Sequence, residues 1–188
     1  DPTKVFILDG DIIRTGLNKG LGFSPEDRSE NIRRISEVSK LFNMAGVIVF
    51  VAFISPYSKD RDFAKNLHKE SGLKFFECHI SASLEVCEGR DVKGLYKKAR
   101  AGIIPVFTGI SDPYEAPASP ELEVNTGAQT LDESTHFVLK HMEHQGILAK
   151  KSAPRVFQSL VREPTAAESE EYAGLHSSDL DIQQVQYL

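Results

Sequence analysis

Two apolar runs of strand length punctuate the chain, Lys4 to Leu8 ("KVFIL") and Val47 to Ile54 ("VIVFVAFI"). The second is apolar at consecutive positions, the pattern of a strand inside a parallel sheet with helices on both faces. "KFFECHI", Lys74 to Ile80, predicts a third strand, and "ELEV", 121 to 124, a fourth. Between the first two runs the apolar positions change to helical spacing: Ile32, Ile35, Val38, Leu41, Phe42 and Ala45. Ser24 is placed to cap this helix, Pro25 suits its first position, and Glu26 and Asp27 complement the positive end of its dipole. Gly46 stops it. Further helices are predicted over Lys59 to Ser71, Leu84 to Gly89 and Glu133 to Gln145. Strand–helix alternation of this kind predicts a doubly wound α/β fold, whose ligands bind beyond the carboxyl ends of the strands. Asp9, Asp11 and Ser55 all fall just past strand ends. Pro105 to Pro120 is dense in proline, glycine and serine and reads as loop, and from Lys150 onward the pattern loses its period, with "REPTAAESEEYAG" as a linker.

Composition narrows the function classes. A chain of 188 residues can bury one full core, with room for a fragment of a second domain. The net charge of −5 argues against a general nucleic-acid binder, although local basic clusters can still grip small anions. The longest apolar run is too short to span a bilayer. Only Cys78 and Cys87 occur, so no disulfide framework is expected, both are read as small buried apolar residues, and a reducing compartment fits. The chain opens "DPTKVFILDG", without an initiator methionine or a signal-like region, from which we expect a sequence that begins part-way through a longer one.

Several short stretches carry candidate chemistry, each with a plainer alternative. In "DGD" one carboxylate can hold magnesium while the other orients or deprotonates a hydroxyl, or the motif is simply a cap or turn. Arg14, with Arg28 and Asn31 one helical turn apart, suits an anion clamp; a lone arginine on an amphipathic helix is otherwise a solvated charge. "FISPY", 53 to 57, can meet a ligand through its backbone and Ser55, or serve only as strand-to-helix punctuation. "DVKGLYKKARAG", 91 to 102, with the following "FTG", suits a mobile lid over polyphosphate, or a solvated helical face. His141 and His144 are assigned to a partly exposed surface, since no third metal ligand accompanies them.

In order, and with fitting spacings, "LDGDIIRTGLNKGLGFSPEDRSENIRRISEVSKLF", "FISPYSKDRDFA", "LEVCEGRDVKGLYKKARAG" and "FTGISDPYEAP" resemble adenylylsulfate kinase over residues 5 to 150. The resemblance implies a P-loop-kinase fold, a three-layer parallel sheet with helices on both faces. It also implies a cytoplasmic (alternatively nuclear), commonly homodimeric enzyme. Such an enzyme transfers the γ-phosphate of magnesium-ATP to the 3′-hydroxyl of adenosine 5′-phosphosulfate (APS). On that likeness Asp11 orients or deprotonates the hydroxyl and, with Arg14, binds substrate. Asp9 assists Mg²⁺, Phe23 stacks on adenine, and Arg28 and Asn31 hold the phosphosulfate and sugar region. Ile54 and Ser55 line the pocket, Ser55 being a further candidate catalytic group. Lys93, Val106 and Phe107 belong to the lid.

"RDVKGLYKKARAG" and the tail are similar to bifunctional phosphoadenosine-phosphosulfate (PAPS) synthases. The expected division is a partial kinase domain over 1–150, a linker over 151–174, and the possible start of an ATP sulfurylase-like domain over 175–188. Two departures from the family pattern stand out. Ile103, Pro105 and Val106 replace an acid, a lysine and a glycine in the lid, which stiffens it, and Ile12 replaces an asparagine. Moreover, no G-x-x-x-x-G-K-[ST] occurs in these residues. We therefore expect a fold lacking its first strand, P-loop and first helix, aggregation-prone and inactive alone. The alternatives are a pseudokinase-like partner of a complete synthase and, less well matched, a generic P-loop nucleoside or shikimate kinase.

Overall fold

The computed structural model describes residues 4–148. The proposed linker and sulfurylase-like segment, 151–174 and 175–188, lie outside the described residues.

The chain runs β1 (Val5–Asp9), α1 (Gly10–Thr15), α2 (Pro25–Met44), β2 (Ile48–Ala52), α3 (Ser58–Glu70), β3 (Cys78–Ser81), α4 (Leu84–Arg90), α5 (Leu95–Arg100), β4 (Leu122–Asn125) and α6 (Leu131–His144). All described strand pairing is parallel, joined by helical crossovers as the alternation predicts. The pairing is split, however. β1 pairs with β2, Ile7 opposite Phe50, and β3 pairs with β4, Ile80 opposite Val124, giving two separate two-stranded sheets. The expected parallel sheet is thus divided into two pairs among the described residues.

Burial follows from that split. Leu8 is buried while Phe6, Ile7 and Val51 are exposed, so the Val47 to Ile54 run is not covered on both faces. A strand buried on two faces needs a neighbour on each edge and a helix on each side, and among the described residues β1 and β2 have only each other as strand partners. α2 does cover them on one side, where Phe6 and Phe42 stack at 4.8 Å. Its own stripe is only half used. Ile32 and Ile35 are buried, whereas Leu41 and Ala45 are exposed, contrary to the predicted apolar face.

Local signals set the helix ends. Ser24 Oγ accepts from the Asp27 amide at 3.2 Å, with Pro25 opening α2. α3 packs on α2 through small polar residues whose hydrogen bonds close internally. Ser39 Oγ lies 3.3 Å from His68 Nε2, and His68 Nδ1 lies 2.8 Å from the Ala64 carbonyl. The predicted third strand starts later than "KFFECHI" suggests. Phe75 and Phe76 turn to the rings of His68 and His141 instead of extending the ladder. Cys78 and Cys87 are half-buried rather than fully buried, and burial pushes the Cys78 thiol up to about 11.

Candidate active site

The candidate site forms where β1 and β2 end. Asp9 closes β1 and caps α1: its Oδ1 accepts from the amides of Asp11 at 2.8 Å and Ile12 at 3.3 Å. One oxygen of Asp9 therefore does the plainer work of a cap, and Oδ2 remains for other chemistry. Asp11 lies in the first turn of α1, and its Oδ2 accepts from Lys93 Nζ at 2.8 Å, so the predicted lid cation reaches the predicted catalytic acid.

Arg14, in the last turn of α1, is drawn back over the α1–α2 loop. Its Nη1 donates to the carbonyls of Leu21 at 3.1 Å and Gly22 at 2.9 Å, and its guanidinium carbon sits 4.4 Å from the centroid of the Phe23 ring. Arg28 approaches the same ring at 5.6 Å and donates from Nε to the Phe23 carbonyl at 3.2 Å. Both guanidinium groups are pulled below their ordinary pKa, first by burial and, for Arg14, also by the charge of Arg28. Arginine stays charged throughout, so the shifts register the cost of burying these cations, to which repulsion adds at Arg14, rather than deprotonation. Arg28 is 3% exposed and its Nη2 has no partner among the described residues. A buried, unmet guanidinium N–H is costly unless something outside the chain meets it. An anion would relieve both the missing bond and the repulsion.

Asn31, one turn beyond Arg28, is buried beside Asn18, whose Nδ2 donates to Asn31 Oδ1 at 2.8 Å. Past β2, Ser55 adopts φ = 41°, a left-handed backbone rare outside glycine. Arg61 holds it there. Its Nη1 donates to the Ser55 carbonyl at 2.7 Å, Nη2 to the Glu115 carbonyl at 2.6 Å, and Nε to Glu77 Oε1 at 2.9 Å. Tyr57 is buried and its hydroxyl donates to Asp112, which faces Arg28 electrostatically.

The lid residues divide. Lys93 and Val106 are exposed, whereas Phe107 is wholly buried with its ring 4.9 Å from Tyr96; Ile54, expected to line the pocket and not part of the lid, is half-buried. Phe107 therefore pins the segment to the body from inside, while Val106 is its outward neighbour. Ser111 Oγ clamps the turn, accepting from the Phe107 amide and donating to the Pro105 carbonyl, each at 2.9 Å.

Sequence reasoning assigned no role to Asn18, Tyr57, Arg61 or Asp112. "FISPYSKDRD" and "FTGISD" contain three of them. Little that is local marks them, because most of their partners lie 13 to 55 positions away, although Arg61 also reaches back six positions to Ser55.

Known proteins decide the family. The adenylylsulphate kinase family profile matches residues 1–125. The chain belongs to the adenylylsulphate kinase family. The adenylyl-sulfate kinase of Saccharomyces bayanus is 57% identical over 147 residues, 78% of this chain and 73% of that protein. That of Acaryochloris marina is 55% identical over 150 residues, 80% of this chain and 72% of its own. Among solved structures, the Mycobacterium tuberculosis APS kinase in complex with AMPPNP and APS is 44% identical. It superposes with a TM-score of 0.72 over 75% of this chain and 81% of that one. The family is one of phosphate-transferring kinases, and the shared architecture is α/β with parallel strands. No helix among the described residues is long and apolar enough to cross a membrane.

Proposed function

We propose that this chain supplies the acceptor side of an adenylylsulfate kinase site. It binds APS and presents its 3′-hydroxyl for phosphoryl transfer from magnesium-ATP, giving PAPS. The observation that carries this reading is the buried Arg28, with its Nη2 unmet among the described residues, sharing the Phe23 ring with Arg14. An aromatic face between cations suits a nucleobase linked to an anion. Phe23 stacks on adenine, Arg14 and Arg28 take the phosphosulfate, and Asn31 meets the sugar side.

In transfer, the 3′-oxygen attacks the terminal phosphorus and its bond to the ADP oxygen breaks. Asp11, held by Lys93, orients the hydroxyl and accepts its proton. Ser55, fixed by Arg61, lines the pocket beside Ile54, and direct transfer requires no covalent step on it. Lys93, Val106 and Phe107 lie on the segment that closes the site. Asp9 fits magnesium through the oxygen that the cap leaves over, since such sites take one or two carboxylates plus substrate phosphates. When bound, the ion neutralises charge on the polyphosphate.

We further propose that the polypeptide of these 188 residues transfers phosphate far more slowly than its relatives. It contains no G-x-x-x-x-G-K-[ST] to cradle the donor. We assign the parent to the bifunctional synthase lineage on "RDVKGLYKKARAG" and on residues 175–188, with the homodimer as its assembly. A second reading, a non-catalytic partner of a complete synthase, is favoured by the clamped Pro105–Ser111 turn. Calorimetric titration with APS tests the main reading. Saturable binding weakened roughly tenfold or more by Phe23→Ala is expected, in line with the loss of one stacked base. Absence of binding at millimolar APS would overturn it. Co-purification with an intact synthase, without APS binding, would favour the second reading.

A further inference from the structure

Asn18 is fully buried (0% exposed) in the loop between α1 and α2. Its backbone is tied down at both groups: its amide donates to the Ile13 carbonyl at 2.9 Å, and its carbonyl accepts from the Leu21 amide at 3.1 Å. This leaves the side chain little freedom. Its Nδ2 donates to Asn31 Oδ1 at 2.8 Å, while its own Oδ1 has no partner among the described residues. An amide presents one acceptor and one donor group. With Asn31 Oδ1 taken by Asn18, Asn31 has its NH₂ left to offer, one turn along α2 from Arg28.

A buried carbonyl without a donor is a cost that a merely structural contact would not retain, because two apolar residues of similar shape would fill the same space without it. The arrangement makes sense if the orientation of Asn31 is what matters. We infer that Asn18 is a positioning residue for nucleotide binding: by occupying Asn31 Oδ1 it fixes that amide as a hydrogen-bond donor towards an acceptor oxygen of the ligand. The inference rests on the reading of Arg28 and Asn31 as the APS-holding face of α2, and adds the residue that sets the polarity of that face.

The test is a double-mutant cycle on APS affinity, measured by calorimetry on the whole chain, with thermal melts run alongside. Asn18→Ala and Asn31→Ala each weaken binding roughly five- to tenfold, as expected for one neutral hydrogen bond. The double variant is no weaker than Asn31→Ala alone, because Asn18 acts through Asn31. Losses that multiply would overturn the inference and leave the APS reading standing. An Asn31→Ala variant with undiminished affinity, or a parent chain that does not bind APS, would overturn the reading itself.

Asn18→Asp cannot donate to Asn31 and should bind as poorly as Asn18→Ala; full affinity in that variant counts against the inference. Should the Asn18 variants fail to fold, side-chain amide NMR of the parent decides. The Asn31 NH₂ signals, identified by their loss in Asn31→Ala, shift on saturation with APS, and unmoved signals would sink the proposal.

Discussion

Lys93 Nζ donates to Asp11 Oδ2 at 2.8 Å across 82 positions of chain. The pair joins the basic segment before α5 to the first turn of α1, so the cation expected in a lid and the acid expected to handle the hydroxyl are one unit. Lys93 is over a third exposed, which limits what the bond adds to stability, typically ~0–1 kcal/mol. Its weight falls on placing the carboxylate. Lys93→Met should therefore leave the melting temperature almost unchanged while weakening APS binding several-fold and speeding amide exchange around Lys93. A large loss of stability, with affinity retained, would assign the pair to the scaffold instead.

Arg28 predicts a trade between stability and binding. Its guanidinium is buried with Nη2 unmet among the described residues, so exchanging it for an apolar side chain removes an uncompensated cost. Arg28→Met is expected to melt at or above the temperature of the parent. Its APS affinity should fall roughly 30- to 100-fold, the loss of a charge-assisted bond. Melting and calorimetry on one preparation measure both, and a variant that is less stable but binds normally contradicts the assignment.

Arg61 holds Ser55 in its left-handed backbone by gripping three partners at once. Arg61→Ala should cost about 2–3 kcal/mol, given that the side chain and Glu77 are largely buried. Arg61→Lys retains the pair with Glu77 but cannot fork to both carbonyls, so it should recover part of the stability and little of the APS affinity. Denaturant melts and binding isotherms separate the two effects. Equal recovery of both would show that charge alone matters.

Acid should loosen the loop that follows the lid. Glu115 accepts from the Ser58 amide at 2.6 Å and the Ser58 hydroxyl at 2.7 Å, and these bonds, the side-chain one foremost, hold its carboxyl below the ordinary 4.5. A folded-state pKa below the unfolded one stabilises the fold above the unfolded value, and that contribution disappears as pH falls through the folded value. Melting temperature should thus drop on acidification below about pH 4.5, with part of the slope absent in Glu115→Gln. Between neutral and mildly alkaline pH Glu115 should contribute no slope. An unchanged acid limb in Glu115→Gln would remove the residue from the account.

Legibility varied with the range of the interactions concerned. The start of α2 was readable because Ser24, Pro25, Glu26 and Asp27 act on amides within four positions of themselves. α1, six residues long, is too short to show a period, and α5, equally short, was legible only as the helical alternative for 91 to 102. Gly94, at φ = 66° ahead of α5, and the Thr130–Glu133 capping box ahead of α6 are local signals of those two helix starts. Asp9 satisfied the plainer reading of its motif by capping α1, which leaves the metal reading to its second oxygen.

By itself the sequence determined the alternation of parallel strands and helices, the caps, and the family to which the motifs belong. All of these are written in residues a few positions apart. Tertiary structure alone decided that the strands form two separate pairs, that Leu41 and Val51 face outward, and that Phe107 lies inside. It also decided that Asn18 meets Asn31, Arg61 meets Ser55 and Glu115, and Lys93 meets Asp11. The reason is physical. A cap or a periodic stripe is satisfied within its own turn, whereas a buried polar group takes whichever partner the packing of distant segments brings within three ångströms.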